Sequence, residues 1–540
     1  MTAKGVLTGN IDLASISNWT PIGNESNKFG GTFDGKNFKV QHLSITQQGY
    51  NTGLFGFAYD ATMQNISIDG NITLNTTTYT EGYGSIAGCV VNSTISNCHS
   101  SVNFTINTEM DASNNCIGHI GGIVGKMNES KSTDSNVSGC SYSGTMNLGN
   151  NKVNVAAGIV GYAIWSDVPI TNCSFTGTIK SECNDAIVIG GIFGYTRSEG
   201  NVKVTNCLQA GTLEKTGNSS LTGMLIGQIN TGYGANAVIN NYYTSSTFNV
   251  IGTTTGTPTT TPATQCSTEQ LQSGEICYLL NGSSSDGGWG QQLGEDKYPV
   301  PGSPYKLMTT AKKTEDNTYW ATFSDQTSDF TLSVPSTRTL KVYNATVSGG
   351  TLTLSTRTDC QVAKGEGVLL KTDGKYVNVK ANESDGLDKV DYSYNNLVAT
   401  PATAQTVTAD NGYTLYRLTY NNVSSQEKLG FYLSLVKDSN GKVDQSSVGK
   451  KLKATPGKAY LKVQTSEATE PTNAKLASAF AFPGDDGGTT DIECITVTDE
   501  NSHINGNANG IYDLQGRKVS KPAKGVYIKN NKKVVFKLKN

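Results

Sequence analysis

Gly158-Ile-Val-Gly161 followed by Thr171-Asn-Cys-Ser-Phe-Thr-Gly-Thr-Ile-Lys180 returns as Gly191-Ile-Phe-Gly194 followed by Thr205-Asn-Cys-Leu-Gln-Ala-Gly-Thr-Leu-Glu214, with the second glycines 33 residues apart. Self-similarity at a period of roughly 20 to 50 residues marks a repeat architecture. Moving outward, a glycine- or serine-framed apolar pair and a later Asn-centred half-motif recur: Gly53-Leu-Phe-Gly56 with Gln64-Asn-Ile66, Ser85-Ile-Ala-Gly88 with Ser96-Asn-Cys98, Gly122-Ile-Val-Gly125 with Ser138-Gly-Cys140, and Met224-Leu-Ile-Gly227 with Ile239-Asn-Asn241. The second glycines are spaced by 32, 37, 36, 33 and 33 residues. Length varies between the half-motifs or after the second one, so insertions sit in loops and the register is kept.

Each Asn is followed by period-two alternation, as in Ser67-Ile-Asp-Gly-Asn-Ile-Thr73, which reads as a strand with one face inward. Short strands with glycines at the corners wind into coils that stack at the strand spacing of about 4.8 Å. Equivalent residues then lie above one another. Cys98, Cys140, Cys173 and Cys207 are expected to form an internal column of small apolar filler between Ile66 and Asn241, rather than a metal or disulfide ladder. Asn65, Asn97, Asn172, Asn206 and Asn240 are expected to be stacked turn residues. The pairs Leu54/Phe55, Ile123/Val124, Ile159/Val160 and Ile192/Phe193 should supply inward stacks.

The rest of the composition agrees. Gly contributes 60 of 540 residues and charged residues only 16%, which suits strands and tight turns better than helices. With 42 Lys plus Arg against 44 Asp plus Glu and no run of one sign, nothing builds the field that nucleic acid requires. No stretch approaches the roughly 20 apolar residues of a membrane span. The eleven cysteines include no CxxC pair. The opening Met1-Thr-Ala-Lys-Gly5 lacks the apolar core of a signal peptide but enters a strand pattern at once, which is read as a chain whose leader has been removed.

The coupled Gly-apolar-apolar-Gly and Asn-Cys halves, over about residues 50 to 250, resemble the GLUG-type repeat of bacterial surface adhesins. Trp19-Thr-Pro-Ile-Gly23 and Phe29-Gly-Gly-Thr-Phe-Asp-Gly-Lys-Asn-Phe38 resemble the opening coils that precede such repeats. The resemblance implies a right-handed parallel β-solenoid and a role in adhesion or surface display, with no agreed binding residues.

Beyond the repeats, the Thr- and Pro-rich stretch 252–262 reads as a linker, and Ser267 N-caps a helix carrying Leu271, Ile276, Leu279 and Leu280. Trp289-Gly-Gln-Gln-Leu-Gly-Glu-Asp-Lys-Tyr-Pro299 resembles a segment that follows these repeats in Bacteroidetes surface proteins, and it is expected to cover the open end of the solenoid. Strand patterns such as Trp320-Ala-Thr-Phe323, Gly367-Val-Leu-Leu-Lys371 and Lys458-Ala-Tyr-Leu461 indicate a β-sandwich or pair of packed sheets. Three strands near the C-terminus, with Gly510-Ile-Tyr-Asp-Leu-Gln-Gly-Arg-Lys-Val519, Lys524-Gly-Val-Tyr-Ile528 and Lys533-Val-Val-Phe-Lys-Leu-Lys539, resemble the sorting domain of Bacteroidetes type IX secretion substrates. The expectation is therefore an all-β chain: solenoid 1–250, linker with short helix and capping segment 251–305, β-sandwich-like domain 306–483, and linker with C-terminal β domain 484–540. The expected location is extracellular or at the cell surface.

Parallel β-solenoids also carry polysaccharide lyases and glycosidases. Residues 1–250 hold a single arginine, Arg197, no Asp-Asp pair, and in Gly118-His119-Ile120-Gly121 the only echo of a hydrolase Gly-His-Gly. Asp60, Asp69, Asp111, Asp134, Asp167 and Asp185 fall at unmatched positions of different coils, and His42, His99 and His503 are scattered. No catalytic residue, metal ligand or cofactor is assigned. The reading is a non-catalytic adhesin for an extracellular glycan or a host surface protein, with a polysaccharide-processing enzyme or a pure spacer as alternatives. Its candidate ligand residues come just after the second glycine: Phe57, Tyr162 and Tyr195 at one coil position, with Tyr59 and Trp165 just beyond in their coils. Such a row is either a ligand track or a stack that merely continues the strand, and Cys89, Lys126 and Gln228 at the same position in other coils weigh toward the stack. Ring exposure separates the two.

Overall fold

The computed structural model describes residues 3–466 apart from 48–49, 76–79, 108–115, 129–134, 165–167, 198–201, 231–236, 256–258, 261–262, 283–286, 311, 314–316, 349–350, 384–385, 388–394 and 424–425; beyond 466 it describes five strands. One coil shows the plan of the first half. Val153–Ala157 lies in sheet A, Val160–Ile164 in sheet B, Val168–Thr171 in sheet C, and Ser174–Phe175 with Thr178–Ser181 in sheet D. Stacked coils give five, seven, nine and thirteen strands in sheets A to D, and the paired strands run parallel.

Two local constraints hold the register. Asn65, Asn97, Asn172, Asn206 and Asn240 all have φ between 49° and 56°, and Gly139 takes φ 63° where the third repeat lacks the Asn. This left-handed turn is one that Asn and Gly tolerate and branched residues do not. The Asn side chains also bond coil to coil: Asn97 Nδ2 donates to Asn65 Oδ1 at 2.8 Å, and Asn240 Nδ2 to Asn206 Oδ1 at 2.7 Å. Next along the chain, Cys98, Cys140, Cys173 and Cys207 are fully buried free thiols in one column, ended by Ile66 and by a buried Asn241 whose Oδ1 accepts from Cys207 N at 2.8 Å. Burial pushes the Cys98 and Cys173 thiols well above the usual thiol range, so they stay protonated. The four apolar pairs are buried in the same core.

The solenoid extends past residue 250. Ile251–Thr255, Thr259–Thr260 and Thr264–Gln265 pair in parallel with Ile226–Asn230, Ala237–Val238 and Tyr242–Tyr243. The described residues of the stretch read as a linker therefore belong to a last coil. Threonine suits a pleated surface, and a polar terminal coil meets water where the stack stops.

The single expected helix is two, Thr268–Ser273 and Glu275–Leu280, parted by Gly274 at φ 90°. Ser267 caps the first through a reciprocal pair with Gln270. Leu271, Ile276, Cys277, Leu280 and the fully buried Trp289 pack on Leu208 and Tyr242 of the solenoid and on Leu307 and Tyr376 of the later sheets. Gly288 and Gly302 approach Asn172 and Asn97 so closely that an added Cβ would stand 3.0 Å and 2.3 Å from their side chains. This connector thus lies along the side of several coils.

After residue 304 three larger sheets stack in layers, and a two-stranded sheet of Gln405–Thr408 and Lys451–Ala454 packs on the third. The first holds Tyr305–Thr309, Tyr376–Ala381, Phe330–Ser333 and Gln361–Val362; the middle one holds Tyr319–Phe323, Val368–Thr372, Leu340–Ser348 and Thr351–Thr356; the third holds Leu397–Ala399, Ala459–Gln464, Tyr413–Val423 and Gln426–Leu433. Val368 and Leu370 join the core between the first two layers, and Leu369 joins the core between the last two. A strand buried on both faces is apolar throughout, so its sequence does not reveal the second interface. Ile492–Thr496 pairs with Ser355–Thr351, giving the middle sheet a strand from beyond the expected boundary at 484. Ile511–Tyr512, Gly525–Lys529 and Lys532–Phe536 form a separate antiparallel sheet.

Candidate binding corner on the solenoid exterior

In sheet B, Phe57, Cys89, Lys126, Tyr162, Tyr195, Gln228 and Thr253 are register partners in successive strands. Phe55 and Ala58 belong to the interior core, whereas Phe57 joins Cys89 and Val91 in a cluster outside it. In sheet A, His119, Val155 and Val188 form the neighbouring outer column. The two outer faces meet at a corner: Val155, Tyr162 and Val188 pack together, flanked by Ile164, Tyr195 and Leu221. The His119 and Tyr162 rings stack with centroids 4.1 Å apart, and Tyr162 and Tyr195 lie 5.8 Å apart.

The shared column of Phe57, Tyr162 and Tyr195 is as the spacing placed it, but the rings do not form an open platform. Phe57 and Tyr162 are each only 6% exposed: Val155, Val188 and His119 of sheet A cover Tyr162 across the corner, and Phe57 packs on Cys89 and Val91 of its own sheet under the Lys28 ammonium. Tyr195 is half-buried, and Tyr59 is exposed at 44%. Trp165 lies outside the described residues. At the Phe57 end, Lys28 Nζ stands 5.1 Å from the Phe57 ring and 5.8 Å from the Tyr59 ring.

His119, isolated in the sequence, belongs to this corner. It is buried, Nε2 lies 3.0 Å from Asn154 Nδ2, and Nδ1 has no partner among the described residues. Burial, reinforced by the Lys126 ammonium, lowers its pKa to about 3, so the ring is neutral near pH 7. Half-buried Glu81 is shifted the opposite way, chiefly by burial and then by Glu25. Lys126 Nζ donates to the Thr80 carbonyl at 3.0 Å. Sequence reasoning missed these partners because they come from other coils and another sheet.

Three described aspartates of the solenoid are each engaged with a different partner. Asp60 accepts from Asn92, Asp69 accepts from His42 N at 2.6 Å, and Asp185 pairs with Lys152 at 3.4 Å. Asp111, Asp134 and Asp167 lie outside the described residues. Among the described residues no three His, Cys, Asp or Glu side chains gather as a metal site would need, and no helix is long and apolar enough to cross a membrane.

No protein-family model matches the chain, and no curated protein matches it. Among solved structures the chain is similar to a protein from Bacteroides ovatus described as a "putative immunoglobulin A1 protease", with 17% identity over 56% of this chain and 86% of that one and a TM-score of 0.41.

Proposed function

We propose that this chain is a non-catalytic adhesin, secreted or held at the cell surface, that engages an extended ligand, in the first place a glycan, along the corner between sheets A and B. The observation behind this reading is a pair of apolar and aromatic clusters on the outside of a solenoid whose interior is already filled, Phe57 with Cys89 and Val91 and Tyr162 with Val155 and Val188, parted at Lys126. Sheet B has seven strands, so at roughly 4.8 Å per step the column that carries them is about 29 Å long. Half-buried Tyr195, Lys126 and Gln228 and the exposed Tyr59 are the groups along it that a ligand can reach. The resemblance of the repeat to the GLUG type supports the same reading.

The informative substitutions are Tyr59→Ala with Tyr195→Ala, since Phe57 and Tyr162 are packed too deeply to remove without cost. The double variant should keep its melting temperature and lose about tenfold or more in glycan-array or host-cell binding. Incubation with a polysaccharide panel should release no reducing or unsaturated ends, and turnover of any substrate would overturn the non-catalytic reading. Burial of Phe57 and Tyr162 favours a pure spacer as the second reading, which absence of glycan and host-cell binding by the parent chain would establish, whereas unchanged binding by the double variant would move the ligand off this corner.

Export is assigned to the C-terminal sheet on its resemblance to sorting domains. Since Ile492–Thr496 completes the middle sheet, the deletion that tests this should remove residues 510–540 only. In the native host that truncation should hold the protein in the periplasm with its fold intact, and unchanged surface display would remove the sorting role.

A further inference from the structure

We infer that the stacked sheets carry a second binding site, distinct from the solenoid corner, for an acidic sugar residue. The third-layer strands Tyr413–Val423 and Ala459–Gln464 pair from Tyr413↔Gln464 to Tyr416↔Leu461, and there the ladder stops although both strands continue. Ala459–Leu461 pairs on its other side with Leu397–Ala399, and Ala459 N donates to Thr322 Oγ1 at 3.1 Å. The strands therefore part, with Arg417 and Leu418 on one bank and Ala459 and Tyr460 on the other. The split opens into a pocket of about 390 Å³.

Its lining has two halves. Half-buried Leu418, with the mostly buried Trp320, Leu452 and Tyr460 behind it, makes an apolar wall against which the C–H face of a sugar ring can rest. Arg417, Lys453 and Lys458 bring three cations, and among the described residues no carboxylate lines the pocket. Neither Arg417 nor Lys453 has a carboxylate within salt-bridge distance among the described residues, and both are exposed. The Asp410 carboxylate near Tyr460 is taken by Lys462. Arg417 and Lys453, exposed at the mouth of a small concave pocket without a carboxylate partner among the described residues, call for an anion, and the guanidinium offers a carboxylate two parallel donors. The volume admits a sugar residue, and backbone leaving a ladder can meet its hydroxyls.

The test is calorimetric titration of the full chain with glucuronic acid, glucose and sodium sulfate at low and moderate salt. Glucuronic acid should bind, glucose should bind at least about tenfold more weakly, and added salt should weaken the interaction. Arg417→Gln with Lys453→Gln should weaken glucuronic acid binding about tenfold or more while leaving the melting temperature unchanged, and Arg417→Lys should fall between. The Tyr59 and Tyr195 double variant should bind glucuronic acid as the parent does, which keeps this site separable from the solenoid corner. Equal binding of glucose, competition by sulfate as strong as by the sugar acid, or full binding by the Arg417 and Lys453 double variant would each overturn the assignment.

Discussion

Cys173→Asp should unfold the middle of the solenoid, at a cost of about 4 kcal/mol or more in thermal or denaturant unfolding followed by circular dichroism. Cys173 is fully buried between Cys140 and Cys207 of the adjacent coils. Its Sγ faces the carbonyl oxygens of Thr171 at 3.3 Å and Val137 at 3.8 Å. The single S–H can donate weakly to one or the other oxygen, whereas a carboxylate there would meet acceptors only, with no cation among the described neighbours to offset its desolvation. Cys173→Ala keeps the site neutral and should cost only about 1 to 2 kcal/mol from the lost volume. Near-parental stability of Cys173→Asp would mean that the column is open to water and the coil packing is wrong.

A loss of about 3 kcal/mol is expected for Gly190→Ala, although it adds one methyl group. The added Cβ would lie 1.9 Å from the Phe193 carbonyl oxygen and 2.8 Å from Gly227 N, both main chain, so no rotamer change can relieve it. Gly190 ends the sheet A strand where the chain bends into sheet B, and moving the backbone there disturbs the coils on either side. Gly139→Asn makes the comparison within one protein. Gly139 has φ 63°, its nearest neighbour to an added Cβ is Asn97 N at 3.6 Å, and Asn at this turn would continue the Asn ladder. It should be neutral or stabilising by up to about 1 kcal/mol. Equal losses at both positions would show that glycine's backbone freedom, rather than close approach at Gly190, is what matters.

These effects also mark how far the sequence can be read. The left-handed Asn turns, the buried Cys column and the shared coil position of Phe57, Tyr162 and Tyr195 were legible because each is imposed coil by coil. Whether a residue tolerates positive φ, or fits a small dry slot, is a property of that residue, and the repeat shows it several times over. The candidate site was legible only in part. The column was visible in the spacing, but His119, Glu81 and Lys126 were not visible as its neighbours, and neither was the burial of Phe57 and Tyr162.

By itself, then, the sequence determined a parallel coil built on a repeat of 32 to 37 residues, its register, its interior, and the all-β character of the C-terminal half. Only the tertiary structure decided that the described residues of the Thr-rich stretch belong to a last coil, that Trp289 and the two helices pack along the coils, that three larger sheets stack after residue 304, and that a strand split opens beside Arg417. The reason is geometric. Alternation says which side of a strand a residue occupies, but the exposure of that side depends on the angle at which another sheet, distant in sequence, comes to lie against it.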